Sequence, residues 1–321
     1  RRNPTDFNHT GGFDRGFDLF DDDCLWKDAS CINQRARAVL ERHKTGEPVF
    51  LLLHYIDPHG PYQVPARSTG RRRFARPGAG RSLHPEARSG ESHLAAARLD
   101  RGEPAGVDAA DIAYWIDLYD DEISYVDLRI GELVEAVERS APAAGTIIAL
   151  AADHGESFLE HGTLAHCRSL FDTEIRTPFV LLGPGIPEGG VRDTPSENLD
   201  VVPTLLDLAG VPFSADAFTG RSLVPAIEGT AQAAPRLQTS AFAGWRAACD
   251  GRFKLMVNED EDRAFLFDLD LDPGETTDLG ESDRRKVAAL QRALAVERPV
   301  PTAALESARE TERQLRALGY L

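Results

Sequence analysis

The segment HYIDPHGPY combines two histidines and an acidic residue over six positions, His54, Asp57 and His59. Because the ordinary pKa of histidine lies near neutrality, such side chains can donate a proton to a leaving oxygen or hydrogen-bond an anion. A structural, hydrogen-bonded histidine is the alternative that one segment alone leaves open. His54 and His59 are therefore candidates for contact with a substrate.

A second segment, LAADHGESFLEHG, places an aspartate directly before a histidine at Asp153 and His154. Adjacent Asp and His can both ligate one divalent ion where the backbone turns sharply, and Gly155 permits such a turn. Asp-His-Gly is also a common turn sequence, so the pair indicates either a metal site or a simple turn.

The third segment, AHCRSLFDTEIRTPFVLLGPG, begins with His166 and carries Arg176 two residues before a proline. Arg176 could pair with Asp172 or Glu174, or it could bind an anionic substrate. His166 precedes a short helical pattern and is the better placed of the two to meet a substrate.

Three apolar runs precede or follow these polar segments, and they predict the strands that position them. The runs are VFLLLHYI, TIIALAA and PFVLLGPG. Short, near-continuous apolar runs are typical of buried strands, and the first is most simply a parallel strand covered on both faces. Since ligands bind beyond the carboxyl ends of strands in open α/β sheets, we expect the polar segments to meet there.

Helical periodicity surrounds these strands. It predicts helices over Ile32–His43, Asp111–Arg139 and Asn198–Gly210, the last with Asn198 as its cap and Gly210 as its stop. The polar stretch from Ala66 to Gly106 shows no period, and we predict no secondary structure there. Strands alternating with helices indicate an α/β sheet.

The pattern changes near residue 237 to short strands joined by turns: LQTSAFAG, FKLMVN after Asp250-Gly251, and AFLFDL. These predict an antiparallel meander, and helical periodicity returns from Glu281. We therefore expect an α/β domain over residues 1–236 and an antiparallel subdomain with a terminal helix over residues 237–321.

Composition limits the partners. The net charge of -16 argues against nucleic acid, because binding to phosphate backbones needs a cationic face. No apolar run approaches the roughly 20 residues that cross a bilayer, so we expect no transmembrane segment. Hydrophobic residues make up 42% of the chain, enough for a substantial core.

The four cysteines lack the spacing of a structural zinc site. Cys24 could pair with Cys31 in an oxidising compartment, but we expect four free thiols.

Residue 1 is Arg1, and Met256 is the only methionine. We therefore expect further sequence before residue 1, which leaves any export signal undefined.

The three segments occur together with a further set of ordered motifs: GFDRGFDLFDDD, YDDEISYVDLRIGEL, LDVVPTLLDLAGVP, GRSLVP, DGRFKLMVN, LFDLDLDPGETTDL and LRALGYL. In this order the set resembles the sulfatase family of the alkaline phosphatase superfamily. The resemblance implies an alkaline-phosphatase-like mixed sheet flanked by helices, and sulfuric ester hydrolysis.

The resemblance also implies roles for individual residues. Asp153 and His154 would be metal ligands, His59 would assist the leaving group, and His166 would bind the transferred sulfuryl or phosphoryl group. We add His54 and Arg176 as expected substrate-binding residues. One divalent ion is implied, calcium by resemblance, although an imidazole ligand also suits manganese or zinc.

The chain departs from the family at the nucleophile. Sulfatases attack with a formylglycine made within a Cys/Ser-x-Pro/Ala-x-Arg motif, and no cysteine here fits it. Ser140 comes nearest, but Ala144 replaces the arginine. We expect the formylglycine and a central strand in a missing N-terminal segment, so the isolated chain should be inactive, and unstable or prone to aggregate.

Two further functions remain open. The same fold could serve a phosphodiesterase, a phosphonate monoester hydrolase or a phosphoglycerol transferase. The chain could also be an inactive fragment or a pseudoenzyme. In the enzyme interpretations the partner is a small-molecule sulfate or phosphate ester, and the resemblance favours the periplasm or secretion over the cytoplasm.

Overall fold

A computed structural model describes residues 14–24, 28–42, 48–63, 74, 92–140, 145–230, 236–258 and 262–296. These residues form two compact units. The first contains the described residues up to Ser140, and the second contains those from Gly145 to Val296. The boundary predicted between residues 236 and 237 falls within the second unit and stays a prediction.

Three helices organise the first unit: α1 (Ala29–Arg42), α2 (Ser92–Asp100) and α3 (Ala109–Ser140). The predicted helices over residues 32–43 and 111–139 are confirmed as α1 and α3, with His43 outside the described residues. α2 falls where we predicted no secondary structure. Its sequence SHLAAARLD is rich in alanine and leucine, which are strong helix formers even without a clear period.

Small residues bring α1 against α3. Ala29 and Ala36 of α1 are fully buried, at 0% and 1% exposure. Between them, the Asn33 amide donates to the Arg129 carbonyl at 2.6 Å and its oxygen accepts from the Tyr55 hydroxyl at 2.7 Å. A buried amide needs such partners, so Asn33 fixes how the two helices meet.

The run VFLLLHYI forms no strand, which makes that prediction wrong. Val49, Phe50, Leu51 and Leu52 are 36–69% exposed, and none of the described strands pairs with this segment. Apolar composition indicates that a segment favours burial. A strand also needs a neighbouring backbone to complete its hydrogen bonds. That second condition is not visible in a local sequence.

In the second unit, β1 (Ile148–Ala151) pairs antiparallel with β4 (Phe179–Leu182), with Ile148 opposite Leu182 and Leu150 opposite Val180. The strands predicted from TIIALAA and PFVLLGPG are thus confirmed. Their expected burial is not, because Leu150, Val180 and Leu182 are 37–46% exposed. Between these strands, β2 (Ser157–Phe158) pairs antiparallel with β3 (Leu164–Ala165).

A four-stranded antiparallel sheet follows, in the order β5 (Gln238–Phe242), β6 (Trp245–Cys249), β7 (Phe253–Asn258) and β8 (Arg263–Asp268). The predicted meander is confirmed, but β6 was missed. α7 (Arg284–Val296) confirms the helical pattern that begins at Glu281. Its leucines pack on the sheet in a cluster of six buried residues: Ala248, Leu255, Val257, Leu266, Leu290 and Leu294.

Short helices lie between the strands of this unit: α4 (Asp172–Ile175) between β3 and β4, and α5 (Val201–Leu208) and α6 (Val224–Ile227) between β4 and β5. None of the helices in the described ranges is both long enough and apolar enough to span a bilayer.

The helix predicted over Asn198–Gly210 is present as a 3-10 turn, Asn198–Asp200, that leads into α5. Gly210 stops it with a φ of +66°, as predicted. The predicted cap is wrong. The Asp200 carboxylate accepts the Glu197 N–H at 2.9 Å, so these two residues cap the turn and the Asn198 side chain is used elsewhere.

Candidate functional site

Asp153 and His154 lie just beyond the carboxyl end of β1. The Asp153 Oδ1 accepts the His154 backbone N–H at 3.0 Å, and Oδ2 lies 3.6 Å from the His154 Nε2. Both side chains reach solvent, at 77% and 35% exposure. Adjacent ligands of one octahedral ion with bonds of about 2.1 Å lie roughly 3 Å apart. The carboxylate and imidazole therefore fit a shared divalent ion.

The residue after His154 is Gly155, and a glycine is needed there because the backbone passes close to α4. Its N–H donates to the Glu174 carbonyl at 2.7 Å, and a Cβ at this position would lie 2.2 Å from the Thr173 carbonyl oxygen. Its φ is not in the left-handed region. The glycine is thus required for close approach of two backbones, not for the turn conformation that we expected.

His166 stands directly beside His154. Their rings stack with centroids 4.3 Å apart, and the His166 Nδ1 lies 3.1 Å from a carboxylate oxygen of the buried Glu156. The His154 Nδ1 lies 2.9 Å from the Gly155 carbonyl oxygen. Since both partners accept, each Nδ1 carries the hydrogen of the bond.

Unusual backbone conformations surround His166. Ala165 and Cys167 both have positive φ, +66° and +58°, which non-glycine residues rarely adopt. The Arg168 guanidinium donates to the His166 carbonyl at 2.6 Å. Conformations of this kind persist only where neighbouring contacts hold them, and they concentrate at functional sites.

Glu174 holds this loop from beneath and is 2% exposed. Its carboxylate accepts the Ser169 hydroxyl at 2.6 Å, the Ser157 hydroxyl at 3.3 Å and the Arg168 N–H at 3.0 Å. Sequence analysis offered Glu174 only as a partner of Arg176. Arg176 is exposed, and no ion pair of it is found within the described ranges.

Asp172, the other expected partner of Arg176, belongs to a buried ion cluster. Lys254 of β7 lies 2.7 Å from Asp172 and 2.6 Å from Glu275, and the Lys254 and Glu275 side chains are 2% and 1% exposed. The Asp172 N–H also donates to Glu275 at 2.6 Å. The C-terminal sheet thereby holds α4, and the signal in the sequence was a lone lysine within the apolar run FKLMVN.

Asn198 contacts the backbone of the Asp153 segment. Its amide donates to the carbonyls of Ala152 and Asp153, at 3.1 and 3.2 Å. Sequence analysis assigned this side chain to a helix cap, so the contact was missed. The partners lie 46 and 45 residues away, and no local pattern indicates them.

Two of the four cysteines are not free thiols. Cys24 and Cys31 form a disulfide, which corrects the expectation of four thiols. Cys167 is free and half-buried, and burial raises its pKa to about 11. One possible ligand atom from each of Cys167, His154 and His166 lies within 4.8 Å of the other two.

His54 and His59 are half-buried residues of the first unit. The His59 Nδ1 lies 2.6 Å from the Gly60 carbonyl oxygen. In the same unit, burial raises the pKa of Asp57 and raises that of Glu122 to about 8. The expected meeting of His59 with Asp153, His154 and His166, which belong to the second unit, stays a prediction.

Comparison with known proteins decides the family. The sulfatase family model matches residues 6–211, nearly two thirds of the chain. This chain belongs to the sulfatase family. A second model, for the C-terminal part of N-sulphoglucosamine sulphohydrolase, matches residues 160–298 and thus includes His166 and the antiparallel sheet.

Among characterised sulfatases, choline-sulfatase of Rhizobium meliloti (strain 1021) is 37% identical over 171 residues, which cover 51% of this chain and 33% of that protein. Phosphonate monoester hydrolase from Silicibacter pomeroyi superposes with a TM-score of 0.67 at 22% identity, over 84% of this chain and 59% of that one. The sulfatase chain therefore spans about a third of its aligned curated relative.

BT4656, solved with its substrate D-glucosamine-2-N,6-O-disulfate, gives a TM-score of 0.62 at 18% identity, over 91% of this chain and 70% of that one. At such identities the likeness shows the fold alone. It confirms the expected alkaline-phosphatase-like fold of mixed helix and sheet, with a C-terminal antiparallel sheet and helix.

Proposed function

We propose that this sulfatase chain carries the metal-binding and anion-binding part of an active site, and that the complete protein hydrolyses sulfuric esters of small molecules. The observation that carries the proposal is the cluster beyond β1, where Asp153, His154 and His166 gather around one another. Kinship with sulfatases supplies the reaction class.

In this proposal Asp153 and His154 hold one divalent ion, with calcium, manganese and zinc as candidates. The bound ion would supply positive charge opposite the non-bridging oxygens of the ester. His154 keeps its orientation because its Nδ1 is engaged by the Gly155 carbonyl. The Asn198 amide orients the backbone on both sides of the Ala152–Asp153 peptide.

His166 would bind the anionic ester. With a proton on each ring nitrogen, it donates Nδ1–H to Glu156 and presents Nε2–H to an ester oxygen. Glu156 is 5% exposed at its side chain, so its carboxylate holds the ring in one orientation.

Three parts of the proposal rest on family membership or on the sequence, and not on contacts. His59 would protonate the leaving oxygen, and His54 and Arg176 would contact the substrate. The nucleophile would be a formylglycine contributed by sequence beyond these 321 residues, since no Cys/Ser-x-Pro/Ala-x-Arg motif occurs within them. The disulfide between Cys24 and Cys31 supports export to the periplasm or outside the cell.

The test measures kcat/KM of the complete gene product on 4-nitrophenyl sulfate and on a 4-nitrophenyl phosphonate monoester. We expect hydrolysis of the sulfate, and at least a ~100-fold loss of kcat/KM in Asp153→Asn and in His166→Gln. His161→Gln is the matched control. His161 lies in the turn between β2 and β3, and its ring stacks on Phe171 at 3.7 Å, so this variant should retain activity close to wild type.

Three outcomes would overturn the proposal. Preference for the phosphonate monoester would favour the rival hydrolase, for which the superposition with the Silicibacter enzyme is the supporting observation. Full activity in both Asp153→Asn and His166→Gln would show that chemistry takes place elsewhere. A complete protein inactive on every ester of both classes would support a pseudoenzyme.

A further inference from the structure

We propose that His154, His166 and Cys167 form a binding site for a soft or borderline divalent cation, of which zinc is the physiological example. This site shares His154 with the Asp153–His154 pair proposed for ester hydrolysis, but it adds a thiolate and a second imidazole. It would exist whether or not the protein is a hydrolase. One possible ligand atom from each of the three residues lies within 4.8 Å of the other two.

The hydrogen bonds of the two imidazoles match those of metal ligands. Histidines that bind metal generally donate their second ring N–H to a carboxylate or a backbone carbonyl, which fixes the ring and leaves the other nitrogen as the ligand. His166 meets a carboxylate of Glu156 and His154 meets the Gly155 carbonyl. In the neutral form of each ring, the lone pair is therefore on Nε2, the nitrogen through which such a histidine binds metal.

An unusual backbone conformation positions the Cys167 thiol. Cys167 has a φ of +58° and directly follows His166, so the two side chains leave adjacent positions yet reach one place. A residue without a turn-forming side chain adopts this conformation only when its surroundings impose it. Here the Arg168 guanidinium holds the preceding carbonyl and Glu174 holds the following N–H.

Only a small adjustment separates this arrangement from a coordinated ion. Ligand atoms of tetrahedral zinc lie roughly 3.3–3.7 Å apart, given bonds of about 2.0–2.3 Å. To reach these distances from 4.8 Å, the ligand atoms must approach one another by about 1 Å. A change of Cys167 χ1 between staggered rotamers moves its Sγ by about 3 Å, which is more than enough. The thiol proton passes to solvent as the metal–sulfur bond forms.

The ligand types determine which ions bind. One sulfur and two imidazole nitrogens suit zinc, cadmium and cobalt, whereas calcium prefers oxygen ligands. The Asp153 Oδ2, 3.6 Å from the His154 Nε2, is available as a fourth ligand. Because His154 belongs to both sites, occupation by zinc would compete with the ion proposed for hydrolysis.

The first test adds Co²⁺ to the 321-residue chain and records its absorption. We expect the near-ultraviolet charge-transfer band of a thiolate bound to cobalt. The band should disappear in Cys167→Ser and remain in Cys249→Ser, which removes the other free thiol. His166→Gln should weaken cobalt binding by about 10-fold or more.

A second test needs no variant. Zn²⁺, but not Ca²⁺, should protect Cys167 from alkylation while Cys249 reacts at an unchanged rate, as read by peptide mass spectrometry. Absence of the cobalt band from wild type, its survival in Cys167→Ser, or equal protection by the two ions would overturn the proposal. None of these readings depends on ester hydrolysis, so loss of the proposed function would be detected separately.

Discussion

At the scale of single residues, the positions of Asp153, His154 and His166 depend on Gly155. Two backbones touch at this position, since the Gly155 N–H reaches the Glu174 carbonyl at 2.7 Å. No side chain can be accommodated without moving one of them. The identity of this residue is therefore set by α4, more than 15 positions later in the sequence.

We expect Gly155→Ala to lower the free energy of unfolding by about 1–3 kcal/mol, because its Cβ would overlap the Thr173 carbonyl oxygen. Urea denaturation checks the value. Gly145→Ala is the control, since a Cβ there meets nothing within 4 Å and should leave stability almost unchanged. Equal effects of the two substitutions would contradict the close-approach explanation.

Sequence analysis found the residues of the cluster but not those that hold them. Asp153 and His154 directly follow the apolar run TIIALAA, so the rule for strand ends applies to them. His166 precedes the run PFVLLGPG and was found from its residue type and its place before a helical pattern. Glu174, Asn198 and Lys254 act on partners up to 82 positions away. A single sequence carries no local pattern for such contacts.

At the scale of elements, β7 contacts α4 through an ion cluster formed by Lys254, Asp172 and Glu275. Lys254 is the only cation within contact of Asp172 and Glu275 among the described ion pairs. Removing one partner of a buried pair leaves the other charge uncompensated, and this cost usually exceeds the net value of the intact pair. α4 should therefore be sensitive to a substitution in the neighbouring sheet.

We expect Lys254→Met to lower the free energy of unfolding by about 3–5 kcal/mol, because Glu275 would stay buried without a cation. Lys254→Met combined with Glu275→Gln should recover at least half of the loss, since Asp172 is 23% exposed and reaches water. Lys286→Met is the control. It pairs with Asp250 near the surface, so its loss should cost about 1 kcal/mol or less.

Urea denaturation of the three variants measures these differences. A double variant no more stable than Lys254→Met would show that the lysine stem, and not its charge, supports this region.

Elements were predicted well where their signal is local. The helices α1 and α3 and the strands β1 and β4 follow from periodicity and apolar runs of their own residues. Pairing and burial depend on what lies beside an element, and there the predictions failed. VFLLLHYI and TIIALAA have equally apolar sequences, yet only the second finds a partner strand.

At the scale of the whole molecule, one apolar face is left without cover in the described structure. Residues on one side of the β1–β4 pair are opposite each other in register, as Leu150 is to Val180 and Ile148 to Leu182. Val180 and Leu182 are 44% and 46% exposed. Contiguous apolar surface at an open sheet edge favours association with other chains.

We expect the 321-residue chain to self-associate, and Val180→Lys with Leu182→Lys to reduce that association, as measured by sedimentation velocity. Val191→Lys is the control, because this valine is 84% exposed but lies outside the sheet. A monomeric wild-type chain with a sharp two-state thermal transition would contradict the prediction.

The crosslink between Cys24 and Cys31 bears on how the protein should be produced. Material folded in a reducing cytosol would present four reactive sulfhydryls to a titrating reagent, whereas oxidised material presents two. Counting them is therefore a simple purity check before any metal is added. It ensures that sulfur chemistry observed afterwards belongs to Cys167 or Cys249.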